Sequence, residues 1–355
     1  MWMMLVMIMA PELVVSLALR QFMCAIWISK EFHISKTHGF FCTMGGFVTP
    51  DGHPIAKAQQ LPMYISAIRL VEEADIRDRS KGDALSKGVA IMQALWFMTQ
   101  CFARLSQHLP ITELEVATLA FAIVSIFIRL LWLWKPLDVQ RSIIVAASSS
   151  IVSDPPAAAD TNLRSRMISA LMSALTPQGG ADKITWQVLG DYSNYNPSTS
   201  TSVPSFYSMD IKDSKLFGLV RVATIISVGA IFGSIHCAAW NALFPSTAEM
   251  WMWRVTSLFI MVYPFQLAVM VGGRTLVSII RHTLHRLGQR SVAIFVAEPF
   301  IMTGLMPIMN FSISAGLPIY LFCRLILVVL SFTTLRALSP ADFVDADWSK
   351  YIPHL

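Results

Sequence analysis

The chain has 355 residues, of which 55% are hydrophobic and only 14% charged, and its formal net charge is +5. Soluble domains are usually about 25% charged, so this composition and a mean hydropathy of +0.57 exclude most soluble enzymes and disordered proteins. The basic residues are spread over the whole length, which excludes an ordinary nucleic-acid partner. The composition predicts an all-α, polytopic helical membrane protein.

Seven apolar segments are candidate transmembrane helices, because about 20 apolar residues are needed to span about 30 Å of hydrocarbon. In chain order they are 1–19, 88–108, 114–134, 217–243, 251–272, 292–312 and 316–335. The first could be taken for a signal peptide, but it lacks a basic leading region and a clear cleavage site. We therefore interpret it as a membrane helix.

The segment 292–312 is the weakest of the seven, since it contains Glu298, Pro299 and Pro307. Prolines are tolerated in membrane helices when neighbouring groups satisfy the freed carbonyls. The segment is therefore expected to span the membrane fully, which gives a total of about seven transmembrane helices. A re-entrant segment would leave six.

Basic residues indicate the orientation of these helices. Under a seven-span count they gather in the loops 20–87 and 135–216, the connection after 272 and the tail 336–355. The positive-inside rule then predicts an extracytoplasmic N-terminus and a cytoplasmic C-terminus. The predicted location is the endoplasmic reticulum or another endomembrane. The predicted order is helix 1 (1–19), loop 20–87, helices 2 and 3 (88–134), loop 135–216, helices 4 and 5 (217–272), helices 6 and 7 (292–335) and tail 336–355.

The two long loops differ in composition. The first mixes acidic and basic residues, whereas the second contains the run YSNYNPSTSTSVPS, whose polar composition is typical of a flexible segment. Within it, Leu163, Met167, Leu171 and Leu175 recur every four residues. This spacing predicts an interfacial amphipathic helix, and a transient helix in a linker is an equal alternative.

The fourth apolar segment carries two patterns. Gly229, Gly233 and Cys237 recur every four residues, a small-residue face that lets another helix approach closely. His236 and Trp240 share a neighbouring face. Asn241, Glu249 and Arg254 follow, so these polar and aromatic groups are candidate lining residues of one extracytoplasmic cavity. The alternative is structural, with tryptophan in an aromatic belt and Asn241 shaping a turn.

Charges inside apolar segments are the remaining signal. Arg324 lies at the middle of the run IYLFCRLILVVLSF, where a cation costs a few kcal/mol unless it is paired or hydrated. Glu298, in the preceding segment, is the expected ion-pair partner, and Glu12 is the competing one. A purely structural pair is as well supported as a functional one.

Several sequence blocks resemble one known family. They are APELVVSLALRQ (10–21), THGFFCTMGGF (37–47), DRSKGDALSK (78–87), IMQALWFMTQCFARLSQHLPITELEVATLAF (91–121), WLWKPLDVQR (132–141), GSIHCAAWNALFPSTAEMWMWR (233–254) and RALSPADFVDADWSKYIPHL (336–355). These blocks are similar to a large family of uncharacterised fungal polytopic integral membrane proteins. The resemblance implies a multi-spanning membrane protein and carries over no activity and no catalytic residue.

The sequence contains none of the common nucleotide, metalloprotease or hydrolase motifs, and predicts no cofactor and no metal site. We expect a protein that acts on or handles a lipophilic small molecule, in a fungal secondary-metabolite pathway. If it is an enzyme, an isoprenoid cyclase would use Glu298 or Glu12 as the acid, and an acyltransferase would use His236 as the base. The candidate catalytic residues are His236, Glu298 and Arg324.

The candidate substrate-binding residues are Trp240, Asn241, Glu249 and Arg254. A transporter and a non-catalytic membrane scaffold are the alternative functions, although no internal repeat of the kind found in many transporters is present. The expected partners are membrane lipids, the small molecule and proteins that bind the cytoplasmic loops.

Overall fold

Long helices dominate the computed structural model, which describes residues 2–80, 84–147, 195–209, 215–286 and 306–350. The α-helices are α1 Trp2–Met9, α2 Pro11–Phe32, α3 Lys36–Thr43, α4 Leu61–Leu70, α5 Glu73–Asp78, α6 Ala84–Ser106, α7 Glu113–Leu131, α8 Lys215–His236, α9 Thr247–Arg286 and α10 Met306–Thr333. Two short strands, β1 Phe47–Val48 and β2 Ile143–Ile144, pair in parallel. The all-α prediction therefore holds for the described residues.

Four of the described helical segments are long and apolar enough to cross a membrane. They are Pro11–Phe32, Glu113–Leu131, Val222–Ala239 and Ala315–Ala337. These segments support the prediction of a membrane protein. The expected count of about seven is not confirmed.

The first apolar segment is two helices instead of one. The chain departs from helical geometry at Ala10, whose φ is −151° and ψ is 67°, and α2 restarts at Pro11. Proline disfavours the α conformation for the residue that precedes it and is itself well suited to the first position of a helix. The candidate span consequently runs from Pro11 to Phe32, whereas the sequence predicted a helix over 1–19.

The last two predicted helices also differ from the structure. Helix α10 runs without interruption from Met306 to Thr333 and contains Pro318, so the predicted turn between 312 and 316 does not form. Gly316 lies inside this helix, and a Cβ at that position would lie 2.4 Å from the Tyr263 ring. The glycine permits close packing of α10 on α9 and does not mark a turn. Residues 292–305 of the predicted sixth helix lie outside the described residues.

Helices α8 and α9 pack closely through the predicted small-residue face. A Cβ on Gly233 would lie 2.4 Å from the backbone nitrogen of Met261, and one on Gly229 would lie 2.9 Å from the Pro264 ring. Only hydrogen fits at these two positions, which confirms that the glycines of this face allow close helix approach. Around this contact, buried side chains of α2, α7, α8, α9 and α10 form one continuous apolar core.

The outer surface of this helix bundle is apolar. Exposed large side chains are found on α6, α9 and α10, including Trp96, Phe102, Val255, Val262 and Phe322. Contiguous exposed apolar surface is avoided on soluble proteins and is expected where helices face lipid. The buried polar groups, by contrast, include Arg324 and Glu12, so the charge lies inside and the apolar surface outside.

The two polar loops pack together into a second folded part, which we call the loop unit and define as residues 21–80, 139–147 and 195–209. Its buried core is apolar and draws on all three segments: Cys24, Ile28, Phe41, Cys42, Phe47, Ile55, Leu61, Ile68, Ile76, Val145 and Met209. The described part of the run that was expected to be flexible, 195–205, contacts this unit, since His53 Nδ1 lies 3.0 Å from the Ser200 carbonyl oxygen. Just after the run, the Tyr207 hydroxyl donates to the Ala56 carbonyl at 2.5 Å, and Gln21 donates to the Tyr207 carbonyl at 2.8 Å. The predicted amphipathic helix at 163–175 lies outside the described residues.

The C-terminal tail lies at the opposite end of the bundle from the loop unit. Arg104, at the end of α6, donates to the carbonyl oxygens of Asp342 and Val344 at 3.1 and 2.6 Å. Arg336 forms an ion pair with Glu249 at the start of α9. Since these groups are in contact, the tail lies on the same side as the α6–α7 and α8–α9 connections. The seven-span count, in contrast, predicts the tail on the side opposite to these two connections.

Candidate binding site at the break between the first two helices

The break at Ala10 places a carboxylate inside the bundle. Glu12 is in the first turn of α2, directly after Pro11, and only 5% of its surface is exposed. A negative charge near the start of a helix is stabilised by the helix dipole, whose positive end lies there. The helix start therefore compensates part of the cost of burying this charge.

Arg324 is the cation that faces this carboxylate. Its Nη2 donates to Glu12 Oε2 at 2.9 Å and to the hydroxyl of Tyr320, one turn earlier on α10, at 2.6 Å. Arg324 is 2% exposed and lies about 14 Å from the end of α10, too deep to reach an interface. Pairing with Glu12 makes the two buried charges neutral overall, which is the condition for retaining them inside a bundle.

Aromatic side chains from α8 and α9 complete the surroundings of Arg324. Its guanidinium carbon lies 3.8 Å from the ring centroid of Phe232, within cation–π range. His236 stacks on Phe232 with ring centroids 4.6 Å apart, and Trp253 lies 5.7 Å beyond it. The Trp253 indole donates to the His236 carbonyl at 3.1 Å, which ties the end of α8 to α9.

One nitrogen of His236 is already committed. Its Nδ1 lies 2.8 Å from the Phe232 carbonyl oxygen, which can only accept, so Nδ1 carries the hydrogen and donates. In the neutral ring the other nitrogen, Nε2, is then the one with a free lone pair. His236 thus retains one position at which it could accept a proton or a hydrogen bond.

A small cavity of about 10 Å³ adjoins Arg324 and His236, a size that holds about one water molecule. Its lining is otherwise apolar: Ile8, Ala117, Phe121, Phe232, Leu327 and Val328. Two guanidinium nitrogens of Arg324, Nε and Nη1, are buried and have no hydrogen-bond partner among the described residues. A buried donor without an acceptor costs about 1–3 kcal/mol, and more when it is charged. The cavity therefore combines unused donors with an apolar wall.

Among the described residues the partner of Arg324 is Glu12, the competing partner in the sequence analysis. The expected partner, Glu298, lies outside the described residues. The turn between 312 and 316 on which the Glu298 pairing rested is absent, because 306–333 is one helix. Of the three candidate catalytic residues, the structure brings His236 and Arg324 to one cavity.

The four candidate substrate-binding residues do not join this cavity. Arg254 donates to the Trp240 carbonyl at 2.8 and 3.1 Å and lies over the Trp240 ring, so this pair closes the end of α8. Glu249 is bound to Arg336, and Asn241 is exposed. The structure therefore gives Arg254 and Glu249 stabilising roles at the bundle end.

Sequence reasoning missed Tyr320 and Phe232 and ranked Glu12 second. Tyr320 could have been found, since it precedes Arg324 by four residues and so shares its helix face. The Pro11–Glu12 pair is also a recognisable helix start, with proline at the first position and an acid in the first turn. Phe232 gave no such signal, because its role depends on how α8 packs on α10.

Comparison with known proteins places the chain in a family and adds no activity. A family model matches residues 33–154 and 201–355, which include His236, Tyr320 and Arg324 but not Glu12. No curated protein and no solved structure matches the chain. Because the family model matches well over half of the residues, the chain belongs to the family of unknown function DUF8562.

Proposed function

We propose that this membrane protein binds a lipophilic small molecule whose head group, a carboxylate or a carbonyl, is an acceptor for the donors of Arg324. The observation that carries this proposal is the pair of buried guanidinium nitrogens, Nε and Nη1, that have no partner in the described structure. An acceptor delivered by a ligand would satisfy them, and an oxygen of a carboxylate or carbonyl is suited to that role.

The lipophilic part of the ligand is inferred from the cavity wall. Eight residues line the cavity, and the seven other than Arg324 would contact a ligand through apolar or aromatic surface, with His236 counted by its ring. Ile8, on α1, is one of them and is 40% exposed, so this lining residue also reaches the outer surface of the bundle. Because α1 is joined to α2 through the non-helical Ala10, movement of α1 would open the cavity toward the lipid.

Ligand binding is tested with a photoreactive palmitate and with a photoreactive hydrocarbon of equal length that lacks the carboxylate. We expect the palmitate probe to label wild-type protein in lipid nanodiscs and R324Q to lose most of that labelling. R254Q is the matched control, because Arg254 is also an arginine of the bundle, half-buried, but it packs against the end of α8, away from the cavity. Equal labelling of R324Q and wild type, or equal labelling by the two probes, would refute the proposal.

A transporter is the second candidate, favoured by the interrupted first helix beside buried charges. Discontinuous helices with charged groups at the break occur at the binding sites of many transporters. Transport of the labelled palmitate across proteoliposomes distinguishes this candidate from simple binding. Catalysis by His236, through Nε2, stays a prediction, as do the fungal origin, the secondary-metabolite pathway and the endomembrane location.

We infer that six helical passes cross the membrane: α1 with α2, then α6, α7, α8, α9 and α10. With six passes, the α6–α7 and α8–α9 connections lie on the same side as both termini. The contacts of the tail with Arg104 and Glu249, which belong to these connections, support this count. The loop unit, with its lysines and arginines, would then face the cytoplasm and both termini the other side.

A glycosylation acceptor placed after residue 355 tests this orientation, with one inserted in the exposed turn at Asp51–Gly52 of the loop unit as the control. We expect the C-terminal acceptor to be modified and the insertion to stay unmodified. The reverse pattern would support a cytoplasmic C-terminus instead.

A further inference from the structure

Three lysines surround the segment that leaves the end of α7. Lys36 is the first residue of α3, Lys87 lies in the first turn of α6, and Lys135 follows α7 by a few residues. We call them the lysine cluster. They come from three separate parts of the chain, and Trp132 and Trp134 lie between them.

Contacts hold the cluster together. Lys87 Nζ donates to the carbonyl oxygens of Leu133 and Lys135 at 3.1 and 2.8 Å. Lys135 Nζ donates to Gln21 Oε1 at 2.8 Å and lies 4.0 Å from the ring centroid of Trp132. Lys36 Nζ lies 4.1 Å from the ring centroid of Trp134. Every partner shown is a neutral acceptor or an aromatic face.

The charge of this cluster is not balanced by an acid in the described structure. The ion pairs found there involve Arg77, Arg104, Arg324 and Arg336, and none of them includes a lysine of the cluster. Burial, followed by the nearby charge of Lys87, lowers the pKa of Lys135 to about 8. Burial also lowers the pKa of Lys87. The charges of Lys87 and Lys135 are thus held close together, at a cost that an anion would relieve.

The location of the cluster indicates which anion. It lies at the junction between the helix bundle and the loop unit, since Lys135 contacts Gln21 at the start of that unit. The exposed apolar surface of α6 begins directly after Lys87 with Val89 and Met92, and Leu133 and Trp134 are also exposed. Tryptophans bordered by lysines at the edge of an apolar belt are typical of the depth of lipid head groups.

We propose that the lysine cluster binds the phosphate of an anionic phospholipid in the leaflet next to the loop unit. Lys36 and Lys135 supply charge to the head group, while Lys87 positions the Leu133–Lys135 backbone. The exposed Leu133 and Trp134 contact the acyl chains. The bound lipid joins the bundle to the loop unit, because Lys36 belongs to the loop unit and the other two lysines to the bundle ends.

Native mass spectrometry of the full chain in detergent tests this site, with phosphatidylserine titrated against phosphatidylcholine of the same acyl chains. We expect wild type to retain phosphatidylserine preferentially. K36Q, at an exposed position, should weaken that preference about fivefold, and K36Q/K135Q should weaken it further. K30Q is the matched control, since Lys30 is an exposed lysine of α2 outside the cluster, and should bind as wild type does.

Free phosphate is distinguished in a separate arm with sodium phosphate and glycerophosphoserine. If these soluble anions raise the melting temperature as much as phosphatidylserine does, the site takes soluble anions and the lipid proposal is overturned. It is also overturned if wild type shows no preference for phosphatidylserine, or if K36Q and K30Q behave alike. Neither arm depends on the Arg324 cavity, so the photolabelling result and this result can fail independently.

Discussion

The Glu12–Arg324 pair gives a quantitative test of the bundle core. Arg324→Gln leaves the Glu12 carboxylate buried with no cation, and Glu12→Gln leaves the guanidinium buried without its anion. Breaking a buried pair on one side typically costs about 3–5 kcal/mol, because the remaining charge is uncompensated. Since the two residues are only 2% and 5% exposed, water does not screen the remaining charge. We expect each single variant to lose about 3 kcal/mol or more.

The double variant separates this pair from general damage. E12Q/R324Q carries no buried charge, so its loss should be smaller than the sum of the single losses by about 2 kcal/mol or more. Unfolding is followed in detergent by denaturant titration of all four proteins. The matched control is the exposed pair Arg77–Glu73, one turn apart on α5, whose coupling should be only about 0.3–0.5 kcal/mol. Additive losses for Glu12 and Arg324 would refute the assignment, and coupling of Arg324 with Glu298 instead would restore the original pairing.

Three further predictions concern other parts of the chain. Gly233→Ala should destabilise the bundle by about 1–3 kcal/mol, because the added methyl group forces α8 away from the backbone of α9. Gly88→Ala is the control and should not destabilise it, since Gly88 has open space around it. Thermal melting compares the two variants. The pKa of Lys135 is about 8 in the folded protein, below its unfolded value, so between pH 8 and 10.5 the unfolded state binds more protons. The free energy of unfolding in lipid-free detergent should therefore rise over this pH range, and K135M should remove the rise. His236→Asn keeps a donor near the Nδ1 position, so the protein level should stay close to wild type while any activity that needs Nε2 is lost. An equal loss of protein level and activity would indicate a packing role.

Much of the bundle could be predicted because its rules are local. The spacing of the glycines of α8 predicts a close helix contact, and the apolar run around Arg324 predicts a buried cation. The partner of Arg324 could not be read in the same way. Glu12 is 312 positions away in the chain, and only the packing of α2 against α10 brings the two together.

The loop unit shows a different limit of sequence reasoning. Composition described its third segment correctly as polar, but polarity does not preclude docking when the contacts use the backbone. The carbonyl oxygens of Tyr207 and Met209, for example, accept from Gln21 and Cys24. Such contacts leave no periodic pattern in the side chains, so a run rich in serine and proline appears the same whether it is docked or free.

The disagreement at Ala10 has a consequence for the site. A continuous helix through residues 2–32 would place Glu12 in a helix interior, where the backbone N–H groups around it are already bonded to carbonyls. The break instead puts Glu12 in the first turn of a helix, where the helix dipole favours a negative charge, within hydrogen-bond distance of Arg324. The same break separates α1, whose Ile8 lines the cavity, from α2. The position of the buried carboxylate in a first helical turn and the separation of α1 therefore both follow from one proline, a local signal that the prediction of a single helix over 1–19 did not use.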